Sequence, residues 1–161
     1  MCVKPFGNVV ITGCSTGHLT VWEGRNCIRS MKAHSGAITA LHVISARDAG
    51  AGAQAGGLIS GSTDGKMQLW NNQLELTTAF DLASLGGISK IVQSVHWDEP
   101  NHKILAASWS AEIYEMHDQE GYDLHDGPLV QGHFEHRVFG LAVNPLDPQE
   151  YVTVGEDRSR F

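Results

Sequence analysis

The feature that most constrains this chain is a repeat of apolar positions. Ile38, Leu41 and Val43 recur as Val92, Val95 and Trp97, and again as Val138, Leu141 and Val143. The copies lie 54 and 46 residues apart, the first interval lengthened by an Ala/Gly-rich insertion over 45–57. After each copy come further short apolar runs separated by Gly, Asp, Asn or Pro. Runs of this length with period-two alternation read as strands. A unit of four such strands cannot bury its apolar faces alone, so repetition predicts stacked sheets in a propeller or a related β array.

The unit best defined by its residues centres on Leu58–Trp70. Asp64-Gly65 between two apolar runs predicts a hairpin, with a type I′ turn because Gly accepts positive φ at the centre. On the second strand Met67 and Leu69 share one face, and Gln68 and Trp70 the other. Upstream, Lys32-Ala33-His34-Ser35 precedes another strand-like run, Ala37 to Ile44. An indole only donates, a carboxylate only accepts, and hydroxyl and imidazole do both. Trp70, Ser60, His34 and Asp64 can therefore form a chain from donor to acceptor that ends on a charge and ties a loop to a turn. This quartet resembles the structural tetrad of a WD-repeat blade, with Asn71 where the family has Asp after the Trp. The resemblance implies an architectural role. A Ser hydrolase would need Gly-x-Ser-x-Gly around its nucleophile, which Ser60 lacks.

In chain order, residues 8–31 make a partial blade. Its strands are expected over Asn8–Gly13, Leu19–Trp22 and Asn26–Met31, and no strand is expected before Asn8. Thr12 and Trp22 hold the Ser and Trp positions there, while Thr16 replaces Asp. Residues 34–80 make a whole blade interrupted by the flexible Ala/Gly loop 45–57. In 88–131 Ala106, Ser110 and Met116 replace Ser, Asp and Trp. In 133–161, a second partial blade, His133, Thr153 and Asp157 match the tetrad again. The expected fold is all-β: a WD-repeat propeller fragment of about three and a half blades, needing the rest of a parent propeller to close the ring.

The net charge of −7 argues against nucleic acid or an anionic membrane as partner. No apolar run reaches the roughly 20 residues of a membrane span, and Met1–Phe6 lacks a signal-peptide core. Cys2, Cys14 and Cys27, with no CxxC spacing, suit a reducing intracellular setting. No catalytic residue, cofactor site or metal site is expected. His133 and His136 are three apart, which on a β scaffold does not gather two imidazoles on one face. Gly13–Gly17 is phosphate-loop-like in composition but precedes a strand and no helix. Trp109, in a turn and flanked by Tyr114, Tyr122 and Phe134, is a candidate partner contact. Arg25, Arg29, Lys32 and Lys103 are a candidate basic patch.

Several stretches narrow the resemblance: Gly17-His18-Leu19, Trp22–Cys27, Lys32-Ala33-His34, Ala40–Val43, Gly65-Lys66, Glu112–Glu115, Gln131-Gly132-His133 and Gly140-Leu141-Ala142. Together they resemble the echinoderm microtubule-associated protein-like family, whose blades often lack the tetrad. That resemblance implies a non-enzymatic, cytoplasmic scaffold associated with microtubules through tubulin. The acidity of both this chain and the microtubule surface opposes direct contact unless a basic patch compensates. Alternatives are an adaptor in another complex, a propeller enzyme with acids or His in a central channel, or an incomplete product with open sheet edges.

Overall fold

A computed structural model describes residues 1–44, 57–85, 89–98, 101–118, 123–125, 127–131, 138–147, 149–155 and 158–160. Most of the flexible-loop expectation, together with His133, Asp157, Tyr122 and Phe134, lies outside them. The described residues are all-β apart from one 3-10 turn, Leu82–Leu85. Among them no helix is long and apolar enough to cross a membrane.

The first sheet holds β1 (Cys2–Phe6), β2 (Val9–Gly13), β3 (His18–Glu23) and β4 (Asn26–Lys32) in sequence order. The second holds β5 (Ile38–Val43), β6 (Leu58–Ser62), β7 (Lys66–Trp70) and β8 (Leu76–Asp81). The third holds β9 (Val92–Asp98), β10 (Lys103–Ser108), β11 (Glu112–His117) and the short β12 (Val130–Gln131). The fourth holds β13 (Val138–Val143), β14 (Tyr151–Gly155) and β15 (Arg158–Arg160). Every pairing is antiparallel between chain neighbours. The first strands β1, β5, β9 and β13 each contact the next, so four blades stand side by side around one line.

One expectation is corrected here. The first blade is not missing its first strand: Cys2–Phe6 pairs with Val9–Gly13 over five residues. Pro5 and Lys4 break the apolar alternation by which a strand is recognised. On an edge strand, however, Pro forfeits no ladder hydrogen bond that a central strand would need. The type I′ turn is also corrected. Gly65 has φ of 87°, but Asp64 is not in the positive-φ region. A three-residue loop forms instead, closed by Gly65 N–H to Ser62 C=O at 3.2 Å, with Gly in the left-handed position.

Apolar layers lie between the blades. Ile11, Leu19 and Val21 of the first blade pack on Ile38, Leu41, Leu58, Trp70 and Leu74 of the second. Ala40, Ile59, Met67, Leu69 and Phe80 pack on Val92, Val95, Ile104, Ala106, Tyr114 and Met116. Leu105, Ala107 and Ile113 of the third blade meet Leu141, Val143 and Tyr151 of the fourth. β6 is apolar or small on both faces and wholly buried, as a strand between two blades must be. Fully burying Leu58 and Ile59 stabilises by about 1.5–3 kcal/mol for each side chain.

Candidate functional site

The repeat places His34 in the loop between β4 and β5, Ser60 mid-β6, Asp64 in the β6–β7 turn and Trp70 at the end of β7. The four side chains converge. Trp70 Nε1 donates to Ser60 Oγ at 2.9 Å, and Ser60 Oγ lies 2.8 Å from His34 Nε2. Because the indole can only donate, we assign the Ser60 hydroxyl proton to His34 Nε2. That leaves His34 Nδ1–H facing Asp64 Oδ1 at 3.4 Å. The distance and alignment there do not make a hydrogen bond, and His34 Nδ1 is a buried atom without one. The expected unbroken chain from Trp to Asp therefore ends, as a hydrogen-bonded relay, at the imidazole; its last step is electrostatic.

Asp64 does different work. Its Oδ2 accepts from Ser35 N–H at 2.9 Å and Ser35 O–H at 3.0 Å, and its Oδ1 from Lys66 N–H at 3.0 Å. Thr63 and Ala37 add two further links, Thr63 N–H to Ala37 C=O and Ala37 N–H to Thr63 Oγ1, both 2.9 Å. On the other side of the loop, Gly17 C=O accepts from Ala33 and His34 N–H at 3.0 Å each. Loop 33–37 is thus clamped between the turns of two neighbouring blades.

Electrostatics follow this geometry. Burial of Asp64 opposes ionisation, but the donors from Lys66 and Ser35, with His34 nearby, outweigh it and hold the carboxyl at about 2. Burial also dominates at His34 and lowers its pKa despite the Asp64 charge, so the ring is neutral at pH 7. Ser60 is 0% and His34 3% exposed. A hydroxyl with no surface cannot attack a substrate, so this quartet braces the blade.

The first blade keeps half of the device. Trp22 Nε1 donates to Thr12 Oγ1 at 2.9 Å. Thr16, at the Asp position, instead meets Cys14 Sγ at 3.1 Å and His18 Nδ1 at 3.0 Å. Its hydroxyl hydrogen bond is the main reason the Cys14 thiol titrates below its ordinary value. In the fourth blade Thr153 is buried on β14.

The third blade holds residues that sequence reasoning missed. Met116 and Ala106 are buried and apolar, as expected for lost tetrad positions. The carboxylate role has moved from Ser110 to Glu112, which is 1% exposed. Glu112 Oε2 accepts from Ser108 O–H at 2.9 Å and from Ser89 N–H at 3.5 Å, which stands where Ser35 stands in the second blade. At the opposite end of the same blade Trp97 Nε1 donates to Asp118 Oδ2 at 3.0 Å, with His102 Nδ1 3.3 Å from Asp118 Oδ1. Beside them Glu115 pairs with Lys103 at 2.6 Å and with His125. Burial opposes ionisation of Glu115, yet its hydrogen bonds with Lys103 and His125 lower its pKa. A Trp on a first strand with an Asp just after a third strand was the available signal for the Trp97–Asp118 pair. Among the described residues no three His, Cys, Asp or Glu side chains gather as a metal site would.

The candidate contact residues divide. Trp109 is 37% exposed in the β10–β11 turn. Tyr114 is 0% exposed in the layer between second and third blades, so the partner contact expected of it is corrected. Its side chain had to turn inward because β11, between two blades, is buried from Glu112 to Met116. Arg25, Arg29 and Lys32 are exposed on β4 and the turn before it. Arg29 also donates to Gln73 C=O at 3.0 Å, and Lys32 to Thr16 C=O. Lys103 sits apart from them on β10.

Residues 25–71, the span holding the whole quartet, match the family model for the WD domain, G-beta repeat. Over 96% of its length the chain is similar to the crystal structure of the WD40 beta-propeller domain of Doa1, with TM-score 0.69 and 20% identity. It is equally similar in extent and identity to the computationally designed Ika8 protein, with TM-score 0.66. The fold is that of a WD-repeat β-propeller. The chain spans less than half of these solved structures, 46% and 42% of their lengths.

Proposed function

We propose that this chain is a non-enzymatic platform for protein–protein contact, located on the microtubule cytoskeleton. The observation that carries the first part is the burial of Ser60 and His34 inside a brace, which commits the Ser60–His34–Asp64 group to architecture. Such a brace leaves the loops and outer strands free to vary as contact surfaces. Support for the second part comes from the stretches that resemble the microtubule-associated family and from uneven charge. Residues 1–32 carry Lys4, Arg25, Arg29 and Lys32 against Glu23, a local +3, so residues 33–161 hold −10. A basic outer edge on the first blade suits the acidic tubulin surface, which the rest of the chain would repel.

Co-pelleting with polymerised tubulin tests this reading. The chain is expected to pellet at low salt and to lose binding steeply as salt rises. Replacing Arg25, Arg29 and Lys32 together by Glu should abolish pelleting while the variant still melts cooperatively, with only the small loss expected from the exposed Arg29–Gln73 and Lys32–Thr16 hydrogen bonds. Equal pelleting by that variant, or none by the native chain, refutes the microtubule assignment.

A further inference from the structure

β4 ends the first sheet and β8 the second, and no other described strand pairs with the outer edge of either. β8 has a blade packed on each side, so an open rim edge comes with the outermost place in a blade. The two rims differ in charge. β4 carries Arg29 and Lys32, with Arg25 just before it, and no Asp or Glu. β8 carries Asp81, with Glu75 just before it, and no Lys or Arg. Edges are blunted by Pro, by a charge lying across them or by a bulge. β4 has no Pro, and its two charges are drawn aside: Arg29 donates to Gln73 C=O of the second blade at 3.0 Å, and Lys32 to Thr16 C=O. A bulge is present, with Ile28 left over between Cys27 and Arg29. Beyond it Arg29–Lys32 keep an unbroken register with β3, and backbone groups there that do not bond to β3 face outward.

We propose that the outer edge of β4 takes an extended acidic segment of a partner protein as an added strand. The segment's backbone pairs with Arg29–Lys32, and its carboxylates meet Arg25, Arg29 and Lys32. A guanidinium has five N–H donors and an ammonium three, so one carbonyl each leaves Arg29 and Lys32 able to take a carboxylate as well. Ile28, 54% exposed, gives the segment an apolar foothold beside them. The charge of β8 repels the same segment, so complementarity selects one rim over the other. This inference deepens the reading of the first blade's basic edge as a contact surface, and rests on that part of it.

A fluorescein-labelled Glu-Val-Glu-Val-Glu-Val peptide, its fully N-methylated form and a Lys-Val counterpart test it on the full chain, by anisotropy and amide hydrogen exchange. The acidic peptide should bind, slow exchange within Arg29–Lys32 and leave Leu76–Asp81 unchanged. N-methylation keeps every carboxylate but removes the N–H donors, so binding should weaken by about tenfold or more. The Lys-Val peptide should not bind. Equal binding by the N-methylated or the Lys-Val peptide, slowed exchange on β8 in place of β4, or no binding of the acidic peptide at about 1 mM each overturns the added strand. Salt-sensitive pelleting with tubulin that persists under any of these results keeps the microtubule reading. Loss of pelleting while the peptide still pairs with β4 refutes that reading alone.

Discussion

In the second blade Ser35 N–H meets the carboxylate of Asp64, in the turn; in the third, Ser89 N–H meets Glu112, on the strand after the turn. The turns themselves match: Gly65 donates to Ser62 C=O and Ala111 to Ser108 C=O, at 3.2 and 3.3 Å. Indole, hydroxyl and imidazole fill one layer of the second blade, whereas Met116 and Ala106 fill the corresponding layer of the third. The difference teaches that a carboxylate holding the loop before the first strand recurs where the Trp–Ser–His wiring does not. An apolar layer does the same packing without a hydrogen bond, provided that no lone polar group is left inside.

The largest effect follows from that proviso. Ser60→Ala removes the shared oxygen and leaves Trp70 Nε1 and His34 Nε2 buried without partners, costing about 2–4 kcal/mol in urea unfolding. Ala106→Ser in the third blade places a hydroxyl beside apolar Met116 and should cost about 1–3 kcal/mol. Adding Trp70→Met to Ser60→Ala, which copies the third blade, should cost less than the sum of the two single changes. Strict additivity would show that the hydroxyl is not the hub.

Next come the two carboxylates. Asp64→Ala frees the Ser35 and Lys66 N–H groups, and Glu112→Ala frees the Ser108 hydroxyl and Ser89 N–H. Each should cost about 1–3 kcal/mol and raise hydrogen exchange at Ser35 and Ser89 respectively, without crossing over. If Asp64→Ala leaves Ser35 protected, the carboxylate is not the clamp.

Much of this was legible in sequence. The repeat set strand positions within a residue or two, and the offsets among His34, Ser60, Asp64 and Trp70 brought those side chains together because an antiparallel register fixes which residues share a face. Cys2–Phe6 was not legible, since its strand identity comes from pairing with β2 and from contact with β5, not from its own alternation. Glu112 was hidden because the same carboxylate can be supplied two residues later on a longer side chain. Tyr114 misled because a β11 face that looks outward in one isolated sheet is covered once blades stack.

Acid separates the blades by a further effect. His34 has a lowered pKa in the fold, so below about 6.5 the unfolded chain takes up a proton that the folded chain resists, and stability falls as pH falls. Asp64, held at about 2 against an ordinary 3.8, contributes stability that is complete above about 4 and is lost as pH drops through 2. His34→Gln should flatten the stability profile between pH 7 and 5 and leave the lower acid limb. An unchanged slope in that upper window would show that His34 does not resist protonation in the fold.

The smallest effect sits at the turn both blades share. Gly65, at φ 87°, is suited to its place, and Ala111 occupies the same place at φ 61°. A Cβ on Gly65 would stand 3.0 Å from Lys90 Cβ, so Gly65→Ala adds crowding to left-handed strain and should cost about 1–2 kcal/mol. Ala111→Gly relieves that strain but gives up a buried methyl worth about 0.8 kcal/mol and adds unfolded-chain entropy of similar size. These nearly cancel, and the melt should move little, by about 0.5 kcal/mol or less in either direction. A loss above about 1.5 kcal/mol would mean that the Ala111 methyl, packed with Leu105, Ala107 and Ile113, holds the third and fourth blades together more than the turn strains them apart.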